Sequence, residues 1–159
     1  ALCLELEYDN GKTLILSGDK DFIQLQKYTN VTQYSPITKK FVNGKDPVQY
    51  LKEHILKGDS SDGIPNVLSP DHTFTDGLRQ RPLGKKKIQT FIEVGFPNDE
   101  VERNFQRNER LIDLTKSPSE LFHECLKAYK DAPEGDRSKL LNYFIQKRLK
   151  NLTESIGEF

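Results

Sequence analysis

The sequence has no net charge, few cysteines and a modest hydrophobic content. Its 24 basic and 24 acidic residues cancel, so the overall charge gives no reason to predict nucleic-acid binding. Cys3 and Cys125 are the two cysteines, and neither has a C-x-x-C partner, which argues against a disulfide framework and a zinc site. We expect both to be buried free thiols.

Long apolar runs and internal repeats are also missing. No segment is apolar enough to cross a bilayer and no signal-peptide pattern is seen, so we expect a cytoplasmic protein without a membrane partner. With 35% hydrophobic and 30% charged residues, the 159-residue chain should be soluble, with long polar connections. The length suits one domain, or one and a half small ones, and is enough to bury a core.

A first acidic cluster follows an apolar run. Asp19 and Asp21 come directly after residues 14–16 and before a helical-looking stretch, which predicts that they lie at the carboxyl end of a buried strand. Sites of α/β proteins are found at such strand ends. An ordinary solvated turn is the alternative, because Asp is common in turns.

A second acidic cluster follows Gly58, where a predicted helix ends. Asp59 and Asp62 are three residues apart, so both side chains can project from one short turn toward a common point. Carboxylates of two such clusters would repel one another if they converged without cations between them. A site for a hard metal ion is therefore the first hypothesis.

Basic residues are concentrated in one window of the neutral chain. Between residues 77 and 92 there is no acidic residue, and the window contains Arg79, Arg81, Lys85, Lys86 and Lys87. Such a patch predicts contacts with phosphates. A solvated helix face is the alternative for a lysine run taken alone.

The periodicity predicts strands first and helices later. Residues 1–8 are typical of the end of a helix, residues 12–17 of a buried strand, 21–28 of a short helix, and 31–34 and 38–42 of short strands. Asp46 and Pro47 predict the start of a helix that ends at Gly58. Residues 66–80 are rich in Ser, Pro, Asp and Gly, and we expect a poorly ordered connection there.

The rest of the chain is predicted to be helical. We expect helices over 82–94, from 98 with Val101, Phe105, Leu111 and Ile112 inward, from a capping box at 117–120, and over 138–150. The helix from the capping box should turn Leu121, Leu126 and Tyr129 inward. The last helix should bury a stripe formed by Leu140, Leu141, Phe144, Ile145 and Leu149.

Two strings carry a resemblance to a known family. Residues 17–25, SGDKDFIQL, resemble the S-x-D-x-D-F-x-Q-L stretch of the structure-specific 5'-nucleases, the flap endonuclease group. Residues 58–65, GDSSDGIP, resemble the G-D-x-x-D-N-I-P signature that opens that family's helix-three-turn-helix DNA-binding motif. The two strings together, in this order, indicate this family more specifically than either string does alone. The wider chain, through 107–114 and 152–159, is similar to the C-terminal half of the T-even phage ribonuclease H branch.

The resemblance implies a fold and a domain organisation. It implies a mixed α/β, mostly helical fold, with residues 1–45 as a remnant of a PIN-like α/β nuclease core. Residues 46–159 would form the family's helical C-terminal domain, with the helix–turn–helix motif at about 47–94. In that motif, phosphates of duplex DNA would be held by Arg79, Arg81, Lys85, Lys86 and Lys87.

The resemblance also implies a two-metal phosphodiesterase site. Asp19, Asp21 and Asp62 would be catalytic metal ligands, direct or through water, and Asp59 an outer carboxylate of the same site. The cations would be Mg²⁺, with Mn²⁺ as a possible substitute. Gly63 stands where the family has Asn, and residues 66–80 replace a compact glycine turn, so the resemblance gives little support for a potassium ion.

The implied activity is that of a 5'-3' exonuclease, flap endonuclease or ribonuclease H in primer removal during DNA replication, in the cytoplasm of a phage host. The family has a further acidic motif upstream of the position where this chain begins, so we expect the chain alone to be inactive or weakly active. Its partners would be branched or flap DNA, an RNA/DNA hybrid, a separate upstream half, and a single-strand DNA-binding protein or sliding clamp.

Two other hypotheses stay open. The chain could be a structure-selective DNA-binding module that is catalytically silent until an upstream half completes it. A standalone PIN-type ribonuclease would share the metal chemistry, but the long helical C-terminal half with its basic helix argues against it.

Overall fold

The fold combines a small sheet with a set of short helices. The computed structural model describes residues 11–133 and 137–159. Its strands are β1 (Thr13–Leu16), β2 (Val31–Ser35) and β3 (Lys40–Phe41). Its α-helices are α1 (Pro47–Lys57), α2 (Lys85–Glu93), α3 (Asp99–Ile112), α4 (Ser119–Lys130), α5 (Leu140–Gln146) and α6 (Lys150–Glu154). Short 3₁₀ helices span Lys20–Lys27, Leu114–Lys116, Arg137–Lys139 and Ile156–Glu158.

This arrangement confirms the mixed, mostly helical α/β class that the sequence predicts. A first compact unit extends to Leu126, and Lys127–Phe159 form a second, smaller unit. None of the described helices is both long and apolar enough to span a membrane. The helix end expected over residues 1–8 lies outside the described residues.

The sheet has the order β1-β2-β3. β1 pairs in parallel with β2, with Thr13 opposite Val31, and β3 pairs antiparallel to β2, with Phe41 opposite Tyr34. The predicted strands are present, although the third is shorter than expected. The segment that connects β1 to β2 is helical as predicted, but it is a 3₁₀ helix.

The prediction that β1 is buried is wrong for one of its faces. Side chains alternate across a strand, and Leu14 and Leu16 are 54% and 67% exposed, while Thr13 and Ile15 are partly covered. Within the 3₁₀ helix that follows, Ile23 and Gln24 are buried.

Helix α1 begins and ends where its sequence indicates. The Asp46 carboxylate accepts a hydrogen bond from the Gln49 amide at 2.9 Å, and Pro47 occupies the first turn. Gly58 ends the helix at φ 66°, and a Cβ there would clash with the Ile64 carbonyl oxygen. Because glycine tolerates both the positive φ and the close approach, the chain can reverse directly into the second acidic turn.

The core of the first unit lies among α1, α2 and α3. Its buried centre consists of Leu56, Val67, Ile88 and Val101. A second cluster contains Ile55, Ile64 and Ile112, and Phe105 packs against both clusters.

The segment over residues 66–80 is folded, so the prediction of a poorly ordered connection is wrong. Val67 and Ser69 are fully buried and Thr73 is 1% exposed. The Gln80 side chain accepts from the Asn66 amide at 2.6 Å, and the Ser69 hydroxyl accepts from the Arg81 amide at 2.9 Å. The polar residues that suggested disorder instead satisfy the loop's own backbone, while Val67 anchors it in the core.

Asp71 joins this loop to α3. Its carboxylate accepts from Arg103 at 2.5 Å and from Arg107. These hydrogen bonds, first from Arg103 and then from Arg107, hold the pKa of Asp71 below its usual value. Arg107 also donates to the Pro65 carbonyl at 2.9 Å. Arg103 and Arg107 therefore connect both the loop and the second acidic turn to α3.

Polar side chains on α3 complete that connection. Asn108, which is fully buried, donates to the carbonyls of Ile55 at 2.8 Å and Pro65 at 2.9 Å. Gln24 in the first 3₁₀ helix donates to the Ile112 carbonyl at 3.0 Å and accepts from the Leu114 amide at 3.0 Å. Helix α3 therefore holds the elements that carry both acidic clusters.

Several predicted buried positions in the later helices are exposed. Leu111 is 62% exposed, Leu121 50% and Tyr129 54%, whereas Leu126 is partly buried. Cys125 is also exposed, so the prediction of a buried thiol is wrong there, and Cys3 lies outside the described residues. The predicted stripes follow helical periodicity, but no described element covers these positions.

The capping box and the last predicted helix also differ from expectation. α4 begins at Ser119, and the Ser117 hydroxyl donates to the Leu114 carbonyl at 3.1 Å instead of capping the helix. The helix predicted over 138–150 is divided into α5 and α6, because Arg148 has a positive φ of 54°. Of its predicted stripe, Phe144 is buried against Phe159 with ring centroids 5.6 Å apart, whereas Leu141 and Ile145 are exposed.

Replacing Asn108 with Leu should reduce the free energy of unfolding by about 2–4 kcal/mol, because two buried carbonyls lose their donor. Urea denaturation measures the change. Gln106→Leu, at an exposed position of the same helix, is the matched control and should change stability by about 0.5 kcal/mol at most. Equal effects of the two substitutions would contradict the role of the buried amide.

Replacing Asp71 with Asn should destabilise the chain near neutral pH by about 0.5–1 kcal/mol, a typical range for exposed ion pairs. A carboxylate with a lowered folded-state pKa adds stability above its unfolded pKa and loses it as the pH falls through the folded pKa. The difference from wild type should therefore shrink as the pH falls below about 4.

Denaturation curves at several pH values test this dependence. Asp76→Asn is the control on the same loop, where the carboxylate lies 4.0 Å from His72. A difference for Asp71→Asn that stays constant down to low pH would exclude the ion pair as its cause.

Candidate metal centre and nucleic-acid surface

The first acidic turn is built at the carboxyl end of β1. The Asp19 carboxylate caps the following 3₁₀ helix by accepting from the Asp21 amide at 3.0 Å. Gln33 on β2 donates its side-chain amide to the carbonyls of Ser17 at 2.9 Å and Asp19 at 2.6 Å. The neighbouring parallel strand therefore fixes the backbone from which Asp19 and Asp21 project.

The second acidic turn is closed by a short bridge. The Ile64 amide donates to the Asp59 carbonyl at 2.7 Å, so residues 59 and 64 pair across the turn. Asp59 Oδ1 accepts from the Ser61 amide at 2.8 Å and from the Ser61 hydroxyl. The Ser61 hydroxyl is the main cause that lowers the pKa of Asp59, which keeps this carboxylate ionised.

The two turns face one cleft of about 490 Å³. Its acidic lining residues are Asp19, Asp21, Glu53 and Asp59, and it is also lined by Lys20, Tyr50, His54, Lys57, Gly58, Ser60 and Ser61. The structure thus brings together three of the four predicted carboxylates, from elements separated by about forty residues of sequence.

Asp62 has a different position from the other three. It is exposed, and it is not among the residues that line the cleft. Its charge still reaches the cleft, because it contributes to raising the pKa of Asp21. Asp62 therefore lies near the site without entering it.

His54 also lines the cleft, although its sequence position predicts only a helix residue. Its Nε2 atom lies 3.2 Å from Asp21 Oδ1 and 3.5 Å from Asp59 Oδ2. The atom is buried, yet neither contact has hydrogen-bond geometry. The one sequence signal for a role of His54 is its position on α1, four residues before Gly58 and four after Tyr50. In the structure, the Tyr50 ring stacks on the imidazole with ring centroids 5.7 Å apart.

Negative charge dominates the cleft. Burial raises the pKa of Asp21, His54 lowers it, and the charges of three further carboxylates, Asp19, Asp59 and Asp62, raise it again. Burial and the carboxylates of Asp21 and Asp59 also raise the pKa of Tyr50. Oxygen atoms of Asp21 and Asp59 and a nitrogen of His54 lie within 4.8 Å of one another, so one cation could contact all three side chains.

The predicted basic residues lie at the start of α2 and just before it. Lys85, Lys86 and Lys87 form the first turn of the helix and are exposed, and Arg79 and Arg81 are exposed in the preceding segment. Gly84 caps the helix without a side-chain hydrogen bond, and a Cβ there would meet nothing within 4 Å. Because the first backbone amides of an α-helix have no acceptor within the helix, the start of α2 offers hydrogen-bond donors to an anion.

The basic turn and the acidic cleft are neighbours. The hydrogen bond from Lys57 is the largest cause that lowers the pKa of Glu53, and the charge of Lys85 adds a smaller contribution. Glu53 is itself part of the cleft lining. Arg81 lies 4.0 Å from Glu100, so part of its charge is balanced on the side of α3.

Comparisons with known proteins show the family of the chain. Residues 47–159 match the family model described as T4 RNase H, C terminal. Over 99% of its length, the chain is similar to the Ribonuclease H of Enterobacteria phage T4, at 33% identity. It covers 55% of that protein, so the chain spans about half the length of this curated relative. The resemblance that the sequence motifs indicated is confirmed, and the chain belongs to the T4 RNase H C-terminal family.

Proposed function

We propose that the chain supplies part of the active site and the duplex-binding domain of a Mg²⁺-dependent 5'-nuclease. The reaction would be phosphodiester cleavage in flap DNA or an RNA/DNA hybrid, as in primer removal during replication. The observation that carries this proposal is the convergence of Asp19, Asp21 and Asp59, from two turns, on one cleft beside a basic helix start. Similarity to a ribonuclease H over 99% of the chain supports a nuclease of this kind.

The donor set of the cleft fits divalent cations. Hard cations such as Mg²⁺ prefer carboxylate oxygens and retain several waters. Burial, and to a lesser extent the neighbouring carboxylates, raise the pKa of Asp21, and a bound cation would favour its ionised form. Asp21 and Asp59 would contact the metal directly and Asp19 directly or through water, while Asp62 would act through water from outside the cleft. Bound metal ions would activate the attacking water and stabilise the leaving oxygen.

The start of α2 is suited to hold the substrate backbone. Its first backbone amides and the side chains of Lys85, Lys86 and Lys87 offer both hydrogen-bond donors and positive charge to a phosphate. Because phosphate contacts position a duplex without reading its sequence, this surface suits recognition by structure. Because Ile88 of α2 and Leu56 of α1 share one buried cluster, a strand bound at the start of α2 would lie near the helix that lines the cleft.

In this proposal the strands belong to a PIN-like nuclease core and the helices to the duplex-binding part. Residues 1–45 would be the core contribution, and residues 46–159 the helical domain, with the helix–turn–helix motif at about 47–94. The exposed face of β1 that carries Leu14 and Leu16 has the apolar character needed to pack against further layers of such a core.

A second candidate function is a DNA-binding module that needs another polypeptide for catalysis. The observation that favours it is the position of Asp62 outside the cleft lining, which leaves three described aspartates at the centre. A two-metal site needs ligands for two ions about 4 Å apart, so an upstream half would have to supply further carboxylates.

Replacing Asp21 with Asn should lower Mg²⁺-dependent cleavage about 100-fold or more, since removing a metal ligand should cost at least as much as removing an outer partner. Asp19→Ala and Asp62→Ala should act in the same direction. The assay uses a 5'-flap and an RNA/DNA hybrid, with this chain alone and with a polypeptide that carries the preceding half of a family member.

Asp76→Asn, in the exposed part of the loop, is the matched control and should leave cleavage unchanged. Wild-type rates for Asp21→Asn would exclude a role of the cluster in cleavage. Duplex binding without cleavage in either mixture would favour the second candidate function.

Replacing Lys85, Lys86 and Lys87 together with Gln should weaken duplex binding and reduce its salt dependence. The slope of log affinity against log salt should fall by about 2.7, because each lost phosphate contact removes about 0.9. Fluorescence anisotropy with a duplex probe at several salt concentrations measures the slope.

The matched control removes the same charge elsewhere, at exposed Lys127, Lys139 and Lys147. Its slope should stay close to that of wild type. An equal loss in both triple variants would show a non-specific effect of net charge and would remove the basis for a phosphate site at α2.

A further inference from the structure

His54 lies outside both acidic motifs in sequence. Its side chain is 17% exposed and enters the cleft from the last turns of α1. The Nε2 atom is buried between two carboxylates and lacks a partner with hydrogen-bond geometry. Buried polar atoms are normally satisfied, so this atom requires an explanation that the carboxylates alone do not provide.

The spacing of the surrounding atoms matches a coordination shell. Ligand atoms about 2.1 Å from a metal are separated by about 3.0 Å at right angles and about 3.4 Å at tetrahedral angles. The observed distances from His54 Nε2 are 3.2 Å to Asp21 and 3.5 Å to Asp59. A single cation could therefore contact the nitrogen and both carboxylates without a large movement of any side chain.

The imidazole is also held in place. The Tyr50 ring stacks on it with an interplanar angle of 13°, and both residues lie on α1. The Asp59 carboxylate is fixed by Ser61 through its other oxygen, which leaves Oδ2 facing His54. Such pre-organised side chains lose little conformational freedom when a ligand binds.

We propose that His54 Nε2 is a direct ligand of the cation held by Asp21 and Asp59, and that it shifts the preference of this site from Mg²⁺ toward Mn²⁺ and Zn²⁺. The inference rests on the metal site of the proposed function and specifies its ion. Imidazole nitrogen suits transition metals, whereas Mg²⁺ favours oxygen ligands and dehydrates reluctantly. A site with one nitrogen and two carboxylates is thus better matched to a borderline cation than an all-carboxylate cluster.

The alternative is that His54 is protonated and acts as a built-in cation between the carboxylates. An imidazolium N–H would then be expected to point at one of the two oxygens, and neither contact is aligned in that way. The two interpretations predict opposite effects of removing the imidazole. As a ligand it strengthens metal binding, and as an internal cation it competes with the metal.

The test measures Mn²⁺, Zn²⁺ and Mg²⁺ binding to the full chain by calorimetry, and the Mn²⁺ complex by pulsed electron paramagnetic resonance. Wild type should bind Mn²⁺ and Zn²⁺ more tightly than Mg²⁺ and show nitrogen coupling to bound Mn²⁺. His54→Phe preserves a ring that can stack on Tyr50, and should lower Mn²⁺ affinity about 10- to 100-fold. It should affect Mg²⁺ much less and should abolish the nitrogen coupling.

The matched control is His72→Phe, because His72 also lies near an aspartate, at 4.0 Å from Asp76, but on the exposed part of the loop. It should change neither affinity nor coupling. Thermal melting of both variants checks that they are folded. If His54→Phe does not fold, the presence or absence of nitrogen coupling in the wild-type spectrum still shows whether His54 binds the metal.

Three outcomes would overturn the inference. Bound Mn²⁺ without nitrogen coupling in wild type would show an all-oxygen site and leave the proposed nuclease function intact. Tighter Mn²⁺ binding by His54→Phe would show that the imidazole competes with the metal. Failure of wild type to bind any of the three cations would overturn both this inference and the metal site of the proposed function.

Discussion

The attachment of both acidic turns to α3 is the constraint on which the rest of the first unit depends. Asn108 uses one side-chain amide to hold the end of α1 and the turn that follows it, through the carbonyls of Ile55 and Pro65. Gln24 ties the 3₁₀ helix behind Asp21 to the end of α3. Because one helix holds both attachments, the carboxylates of the two turns keep a defined separation despite their repulsion.

That separation gives the cleft its chemical character. Burial and neighbouring charges disfavour ionisation of Asp21, while Ser61 favours the ionised form of Asp59. Carboxylates with opposed pKa shifts in one cleft are typical of functional sites. The buried hydrogen bonds of Gln24 and Asn108 hold the backbone of the two turns against the repulsion between their carboxylates. Neither side chain takes part in the proposed chemistry.

The sequence predicts best where local signals decide the structure. Asp46 and Pro47 start α1 and Gly58 ends it, because capping, a preset φ and a positive φ are properties of single residues. Local signals fail for residues 66–80, where Val67 and Ser69 are buried by distant elements. They fail again in the later helices, where periodicity marks Leu121 and Ile145 as core positions that no described element covers.

The sequence by itself determined the family, both acidic motifs and the lysine cluster, since each is a contiguous string with its own chemistry. Tertiary structure alone decided which acidic residues meet: Asp19, Asp21 and Asp59 line the cleft, whereas Asp62 does not. It also brought His54 between two carboxylates. The physical reason is that side chains distant in sequence become neighbours through packing and long-range hydrogen bonds, and local residue patterns do not encode those distances.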